Sequence, residues 1–326
     1  MKALLCHQFG LPETLSLSAI ETPTLSAGQV LVQVKACGVN FPDTLIIQDK
    51  YQFKPELPFA PGGEVSGIVT SVGEGVSHVK EGDHVFALTG WGGFAEYALA
   101  DAHKCLPMPE GMDFVTGATT MYTCGTSLHA LKQRANIQPG ETLLVLGAAG
   151  GVGLAAVQIG KLMGAHVIAA ASSDEKLARC IKSGADEIIN YTTQDLKAKI
   201  KELTNGKGVD VVYDPVGDQY SEPAVRSLAW GGRYLVVGFA AGAPASIKLN
   251  LPLLKGASIV GVFWGAFAQK QPKDSLENFQ QILEWIKTGQ LKQNIYKKYP
   301  LEEGGQALRD LMDRKVIGKN VVVING

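Results

Sequence analysis

The sequence predicts an α/β protein of two domains, a β-rich one and a doubly wound parallel sheet, and three observations predict it. The chain has 326 residues and 46% hydrophobic content, more than one core usually holds, because single cores stop growing at roughly 250–300 residues. From Gln29 to about Leu106 short β-like segments are separated by glycine and proline. After about Tyr122 the rhythm becomes strand, glycine turn, helix, repeated, the pattern of a parallel sheet with helices on both faces.

In the first region Val32-Gln33-Val34-Lys35 and Val65-Ser66-Gly67-Ile68-Val69 read as strands, and Gly73, Gly75, Gly82, Gly90, Gly92 and Gly93 mark tight turns. In the second, the apolar run Leu143–Leu146 is a buried strand, followed by a glycine turn and a helix through Met163. Val167–Ala170 is the next strand, then a helix from Asp174 to Lys182, a strand at Glu187–Asn190 and an amphipathic, lysine-dotted helix from Thr193 to Leu203. Val209–Tyr213, Tyr234–Val237 and Ile259–Val262 complete the sheet. Helices near 275–287 and 305–314 precede a last strand at Val321–Ile324. This closing stretch lies outside the repeating unit and is expected to return to the first domain.

Formal charge is −1, with no run of about five or more like charges, so nothing suggests a nucleic-acid track or an anionic membrane surface. The N-terminus turns polar too early for a signal peptide, and no apolar stretch reaches the roughly 18 residues of a membrane span. The expectation is a cytoplasmic protein acting on a small molecule, with neither a nucleic-acid nor a membrane partner. Five scattered cysteines contain no C-x-x-C pair, so neither a disulfide framework nor a cysteine zinc cluster is visible. Six histidines share no metal-like spacing.

The segment Gly147-Ala148-Ala149-Gly150-Gly151-Val152-Gly153 lies between a buried strand and a helix. Backbone can approach a pyrophosphate closely there, and the helix start offers unpaired N–H groups to anionic oxygens, so Ala149, Gly150, Gly151 and Val152 are candidate dinucleotide-binding residues. Ala148 stands where G-x-G-x-x-G has its first glycine. The second strand ends near Ala171 without the carboxylate that binds a ribose 2′-hydroxyl. Ser172, Ser173 and Lys176 follow instead, two hydroxyls and a cation suited to a 2′-phosphate, which points to NADPH over NADH. Asp174 and Glu175 oppose that reading by weakening the local positive field. Gly238 and Phe239 follow a buried strand, at the end where open α/β sheets bind ligands.

Ala36-Cys37-Gly38-Val39-Asn40-Phe41-Pro42-Asp43, Pro61-Gly62-Gly63-Glu64-Val65-Ser66-Gly67, Val72-Gly73-Glu74-Gly75-Val76 with Gly82-Asp83, the turn 147–153 and Asn190-Tyr191 together resemble the medium-chain dehydrogenase/reductase superfamily, within it the quinone oxidoreductase branch, over essentially the full length. The resemblance implies a GroES-like β-rich catalytic domain, residues 1–122 completed by 266–326, and a Rossmann domain, residues 123–265. It further implies NADPH in the cleft between them and a homodimer. Zinc-dependent members hold their metal with a cysteine, a histidine and a second cysteine, where this sequence has Asn40, Gly63 and, near the third place, Tyr122. A catalytic zinc needs three such ligands, so no metal is expected.

Without a Lewis acid the acceptor must already be electrophilic. Quinones and other conjugated carbonyl compounds meet this condition, and hydride transfer to them is the expected reaction. The alternatives are reduction of an activated C=C bond in an enone or an acryloyl or enoyl thioester, and an NADPH-binding scaffold without turnover. By the resemblance Tyr51 and Asn40 are the catalytic candidates. Tyr51 is a proton or hydrogen-bond donor, a phenol being protonated at neutral pH, or an aromatic lid. Asn40 faces the nicotinamide ribose and substrate, or is a turn residue. Asp43 reads as the cap of a short helix. Thr126, Tyr191, Val216, Phe263 and Asn320 are the remaining cofactor-binding candidates. Trp91 could wall the substrate pocket, and Trp264 could edge the cleft or the dimer interface or simply pack in the core.

Overall fold

A computed structural model describes residues 1–324. The chain divides into two compact units, Met1–Tyr122 with the chain from Ile295 onward, and Thr123–Asn294.

The first unit is built on β1 (Lys2–Cys6), β2 (Leu15–Ala19), β3 (Gln29–Gly38), α1 (Phe41–Ile46), β4 (Glu64–Val72), β5 (His84–Leu88), β6 (Tyr97–Asp101), β7 (Cys105–Pro107) and α2 (Phe114–Gly117). Along β3 the valines 30, 32 and 34 are buried while Leu31, Gln33 and Lys35 are half-buried, the two-residue period of a strand with one face on a core. β3 pairs antiparallel with β4 along its length and also with β6 at its start. After the second unit's elements the chain re-enters this unit through β14 (Ile295–Pro300), α11 (Gly304–Met312) and β15 (Lys319–Val323). β15 lies antiparallel to the end of β3, with Val321 opposite Gly38. The order is β14-β15-β3-β4-β5-β7, with β6 on β3, and β1 and β2 form a separate antiparallel pair.

The second unit begins with α3 (Met121–His129), whose helix runs on through a π-type turn at Ala130–Arg134. β8 (Thr142–Leu146), α4 (Gly151–Leu162), β9 (His166–Ala171), α5 (Asp174–Lys182), β10 (Glu187–Asn190), α6 (Leu196–Leu203), β11 (Val209–Asp214), α7 (Ser221–Arg226), β12 (Leu228–Val236), α8 (Asn250–Lys255), β13 (Ser258–Gly261), α9 (Trp264–Lys270) and α10 (Pro272–Lys287) follow. The six strands are all parallel, in the order β10-β9-β8-β11-β12-β13. Leu143–Leu146 and Val167–Ala171 are fully buried, as strands covered on both faces must be. This is the doubly wound order with its switch point between β8 and β11.

Three expectations need correction. The chain returns to the first unit at Ile295 rather than at 266. Residues 264–294 stay on the second unit because the Phe267 ring stacks on His129 at 3.9 Å. Asn278, buried, also accepts hydrogen bonds from Lys132 and Gln133, each at 3.0 Å, and Gln158 pairs with the Lys292 backbone. The helix expected from Thr193 starts at Leu196, because the Asp195 carboxylate caps the Ala198 N–H at 2.7 Å. β14 and the helix from Met121 lie where no regular element was expected.

Candidate active site

In the first unit, β3 carries the chain past Gly38 and Val39 into α1, and β15 and β4 flank it. Gly38 has no room for a side chain, since a Cβ there would overlap the Ala118 carbonyl oxygen. Beyond it a polar cluster is sealed from water: Asn40 is 8% exposed, Lys319 5%, Asp43 3% and Glu64 1%. The Lys319 ammonium donates to Asn40 Oδ1 at 2.6 Å and to the Val39 carbonyl at 3.0 Å, and lies 3.5 Å from Glu64 Oε2. Asn40 Nδ2 donates to Glu64 Oε2 at 2.9 Å and to the Gly38 carbonyl at 3.3 Å. Glu64 Oε1 accepts the Tyr122 N–H at 2.9 Å.

The Asn40 amide therefore points into this cluster, its two donors engaged inside the protein. Asp43 closes the start of α1 by accepting the Asn40 N–H at 2.7 Å, the capping duty expected of it. Burial pushes its carboxyl up to about 7, against the backbone donors and Lys319, which act to lower it. Tyr51 is half-buried, edge-on to Phe53 at 5.7 Å between ring centroids. Burial, then the nearby Asp43 carboxylate, raises its phenol above the ordinary value. It is thus fully protonated at neutral pH, as a hydrogen-bond donor to an oxyanion must be.

In the second unit the expected residues come together at one end of the sheet. Ala149–Val152 follow β8, Ser172 and Ser173 follow β9, Tyr191 follows β10, Val216 follows β11, Gly238 and Phe239 follow β12, and Phe263 follows β13. That is the carboxyl end, where open parallel sheets bind ligands. Thr126, half-buried on α3, sits beside Ser127, whose hydroxyl donates to the Val152 carbonyl at 2.9 Å.

Turn geometry resolves the departure at Ala148. Gly147 turns the chain at φ 56°, and a Cβ there would stand 2.6 Å from the Val216 side chain, so the tight-turn glycine lies one residue before the place the motif gives it. At Gly153 a Cβ would overlap the Gly147 carbonyl oxygen, and this glycine lets α4 pack against the turn. Gly150, by contrast, has only ordinary contacts in its Cβ direction. Directly after it the 12-residue α4 begins, a helix start whose unpaired backbone N–H groups suit an anion. Ala149 is buried.

At the second strand's end Lys176 Nζ donates to Ser172 Oγ at 3.0 Å, and Ser173 caps α5 by accepting the Lys176 N–H at 3.4 Å. The Tyr191 ring packs on Tyr220 with centroids 4.4 Å apart. Asn320 lies on β15 of the first unit, where its Nδ2 donates to the Ala307 carbonyl at 2.9 Å and its Oδ1 is buried unpaired; adjacent residues of a strand face opposite ways, and it is Lys319 that faces Asn40. Trp264 packs over Gly125, while Trp91 and Phe263 are exposed.

Sequence reasoning missed Lys319 and the buried Asp214, which ties down the loop after β11. Asp214 accepts from the Val216 and Gly217 N–H groups at 2.7 and 2.8 Å, from Ser221 at 3.0 Å, and from the Tyr234 hydroxyl. An aspartate closing an apolar strand was the available signal.

Two family models match the chain: "Alcohol dehydrogenase GroES-like domain" over residues 26–110 and "Zinc-binding dehydrogenase" over residues 151–288. The chain is 38% identical to the quinone oxidoreductase-like protein 2 homolog of Nematostella vectensis, over 99% of this chain and 88% of that one. It belongs to the quinone oxidoreductase branch of the medium-chain dehydrogenase/reductase superfamily. It is an enzyme of that kind. Among solved structures, the Escherichia coli quinone oxidoreductase complexed with NADPH superposes with a TM-score of 0.92 at 30% identity, over 99% of this chain and 100% of that one. CurK enoyl reductase superposes with a TM-score of 0.89 at 28% identity, covering 99% of each chain. The two family models name a GroES-like domain and a dehydrogenase domain, and the two units carry that fold.

The zinc in one model's name does not fit these residues. Position 63 is glycine, and a Cβ there would meet the Gly90 carbonyl oxygen at 2.7 Å, so a histidine would require that backbone to move. Position 40 is an asparagine hydrogen-bonded to a buried ammonium. Among the described residues no three His, Cys, Asp or Glu side chains gather as a metal would need.

Proposed function

We propose that this quinone oxidoreductase-family enzyme is an NADPH-dependent reductase whose acceptor is a quinone. One observation carries the reading: a glycine cradle at the switch point of a parallel sheet, with a serine hydroxyl and a lysine ammonium, Ser172 and Lys176, 3.0 Å apart at the end of the neighbouring strand. The cradle suits a pyrophosphate, and the hydroxyl and ammonium suit a 2′-phosphate. Ala149, Gly150, Gly151 and Val152 would hold the pyrophosphate, and Ser172, Ser173, Lys176 and Tyr191 the adenosine end. Thr126, Val216, Gly238, Phe239 and Phe263 would line the rest. That a relative in this family was crystallised with NADPH supports it.

NADPH, when bound, supplies a hydride to a conjugated carbonyl compound. This chain's residues hold the nucleotide, fix its loops and provide a donor for the oxygen on which negative charge develops. Tyr51, protonated at neutral pH, is that donor. Asn40, turned toward Lys319 and Glu64, orients the end of β3 rather than touching the reacting atoms. Ligands for a Lewis acid are lacking at positions 40 and 63, which favours acceptors that conjugation has already activated.

The CurK likeness and Tyr51 favour a second reading, reduction of an activated C=C bond, in which the tyrosine must deliver a proton to carbon or to an enolate. Steady-state oxidation of NADPH against a quinone panel and a short enoyl-CoA separates the two. Turnover of quinones is expected, and none with any quinone removes the first reading. NADPH binding without turnover on either class would leave a scaffold.

A further inference from the structure

The turn after β9 presents a contradiction for a 2′-phosphate. Its cation, Lys176, follows directly on two acids, Asp174 and Glu175, in the first turn of α5. A carboxylate near the end of this strand is what accepts a ribose 2′-hydroxyl in NADH-binding folds, and it repels a phosphate there. Which coenzyme the turn prefers thus depends on where the Asp174 carboxylate is held.

The neighbouring strand holds it. β10 runs parallel to β9 with Asn190 beside Ala171, which brings the Asn190 side chain to the turn. Its Nδ2 donates to Asp174 Oδ1 at 2.8 Å. Its Oδ1 accepts from the Thr192 hydroxyl at 2.6 Å and from the Thr192 N–H at 3.2 Å, which fixes the amide's orientation so that the NH₂ faces the acid. The Thr192 hydroxyl lies 3.3 Å from the Ser172 carbonyl, closing the latch onto the turn. Meanwhile the Lys176 ammonium is on Ser172 Oγ.

We propose that Asn190 is a specificity-determining positioning residue: by tying the Asp174 carboxylate to the end of β10, it keeps the acid's charge from the Ser172–Lys176 pair that would meet a 2′-phosphate and withholds the acid from a 2′-hydroxyl. The inference rests on the NADPH reading above. An Asp174 released from this latch turns toward the ribose, where it both repels the phosphate and accepts from a free hydroxyl.

Dissociation constants for NADPH, NADH, 2′,5′-ADP and 5′-AMP, measured by fluorescence titration of the full chain, provide the test. In Asn190→Ala the NADPH and 2′,5′-ADP constants should rise about tenfold, the scale of one like charge moved into a phosphate site, while those for NADH and 5′-AMP stay level or fall. Adding Asp174→Asn to Asn190→Ala should restore NADPH affinity, because the displaced group no longer carries charge. Thr192→Val, an exposed change, should shift selectivity the same way by a smaller factor and serves if the alanine variant folds poorly. Equal weakening of both coenzymes, or no recovery in the double variant, overturns the role given to Asn190. An unaltered protein that shows no preference for NADPH overturns the underlying reading and this inference with it. A parent that prefers NADPH and an Asn190→Ala variant that keeps the preference sink the Asn190 role alone.

Discussion

Lys319 Nζ sits within 3.5 Å of Asn40 Oδ1, the Val39 carbonyl and Glu64 Oε2, all of them out of water. Removing one member of such a buried pair costs about 3–5 kcal/mol, because the other charge stays behind unpaired. Lys319→Met should therefore lower the unfolding free energy by about that much, and adding Glu64→Gln should recover part of it in denaturant titrations. Asp43 shows the opposite balance. Its folded pKa is raised to about 7, so the stability tied to its protonated form is full below the ordinary carboxylate pKa and is lost as pH rises toward 7. Asp43→Asn keeps an acceptor for the Asn40 N–H without the charge, and its thermal midpoint should gain on the parent between about pH 4 and pH 7 and level off above. A constant gap across that range would contradict the assignment. Tyr51→Phe should slow alkene reduction about 100-fold, the scale of lost general-acid catalysis, and quinone reduction little, since quinones can take protons from solvent. Family likeness alone points to Tyr51 in the sequence, and the comparison of alkene with quinone rates decides its role. Lys319 was not legible there, because its partner Asn40 is 279 positions away and only strand register shows which of Lys319 and Asn320 faces inward.

The turn between β8 and α4 was the most legible element, because its glycine spacing, apolar strand and following helix are all local. Gly153→Ala would drive a methyl against the Gly147 carbonyl. The expected result is a loss of about 1–3 kcal/mol of stability and weaker NADPH binding, with no change in coenzyme preference, which distinguishes it from the effect at Asn190. Elements joined by distant contacts were harder to read. β14 is an edge strand, Ile-Tyr-Lys-Lys-Tyr-Pro, with too few apolar residues to announce itself, and its pairing with β15 supplies what the pattern lacks. Asp195 could have been read as a cap, because the lysine-dotted pattern begins only after it, at Lys197, and nothing in that pattern required a helix from Thr193.

At the scale of the molecule, β13 is the outer strand of the second unit's sheet, and its neighbourhood is apolar and exposed. Trp230 is 82% exposed, with its ring against the Cβ direction of Gly256, and Leu249, Leu253, Leu254, Ile259 and Phe263 are exposed with it. An open edge bordered by such residues is a site for pairing with another chain, and a homodimer through β13 is the expected state. Light scattering should give twice the mass of the chain for the parent and the monomer mass for Ile259→Lys with Leu253→Glu. A monomeric parent would end that expectation. The sheet of the first unit carries another consequence, because β15 lies beside β3 in space but is made only after the whole of the second unit. The second unit, an unbroken stretch of chain, can close its core without β15. The N-terminal segment meanwhile waits with Asn40 and Glu64 lacking their ammonium. A nascent chain stopped before Lys319 would own a complete nucleotide fold and an unfinished chemical one.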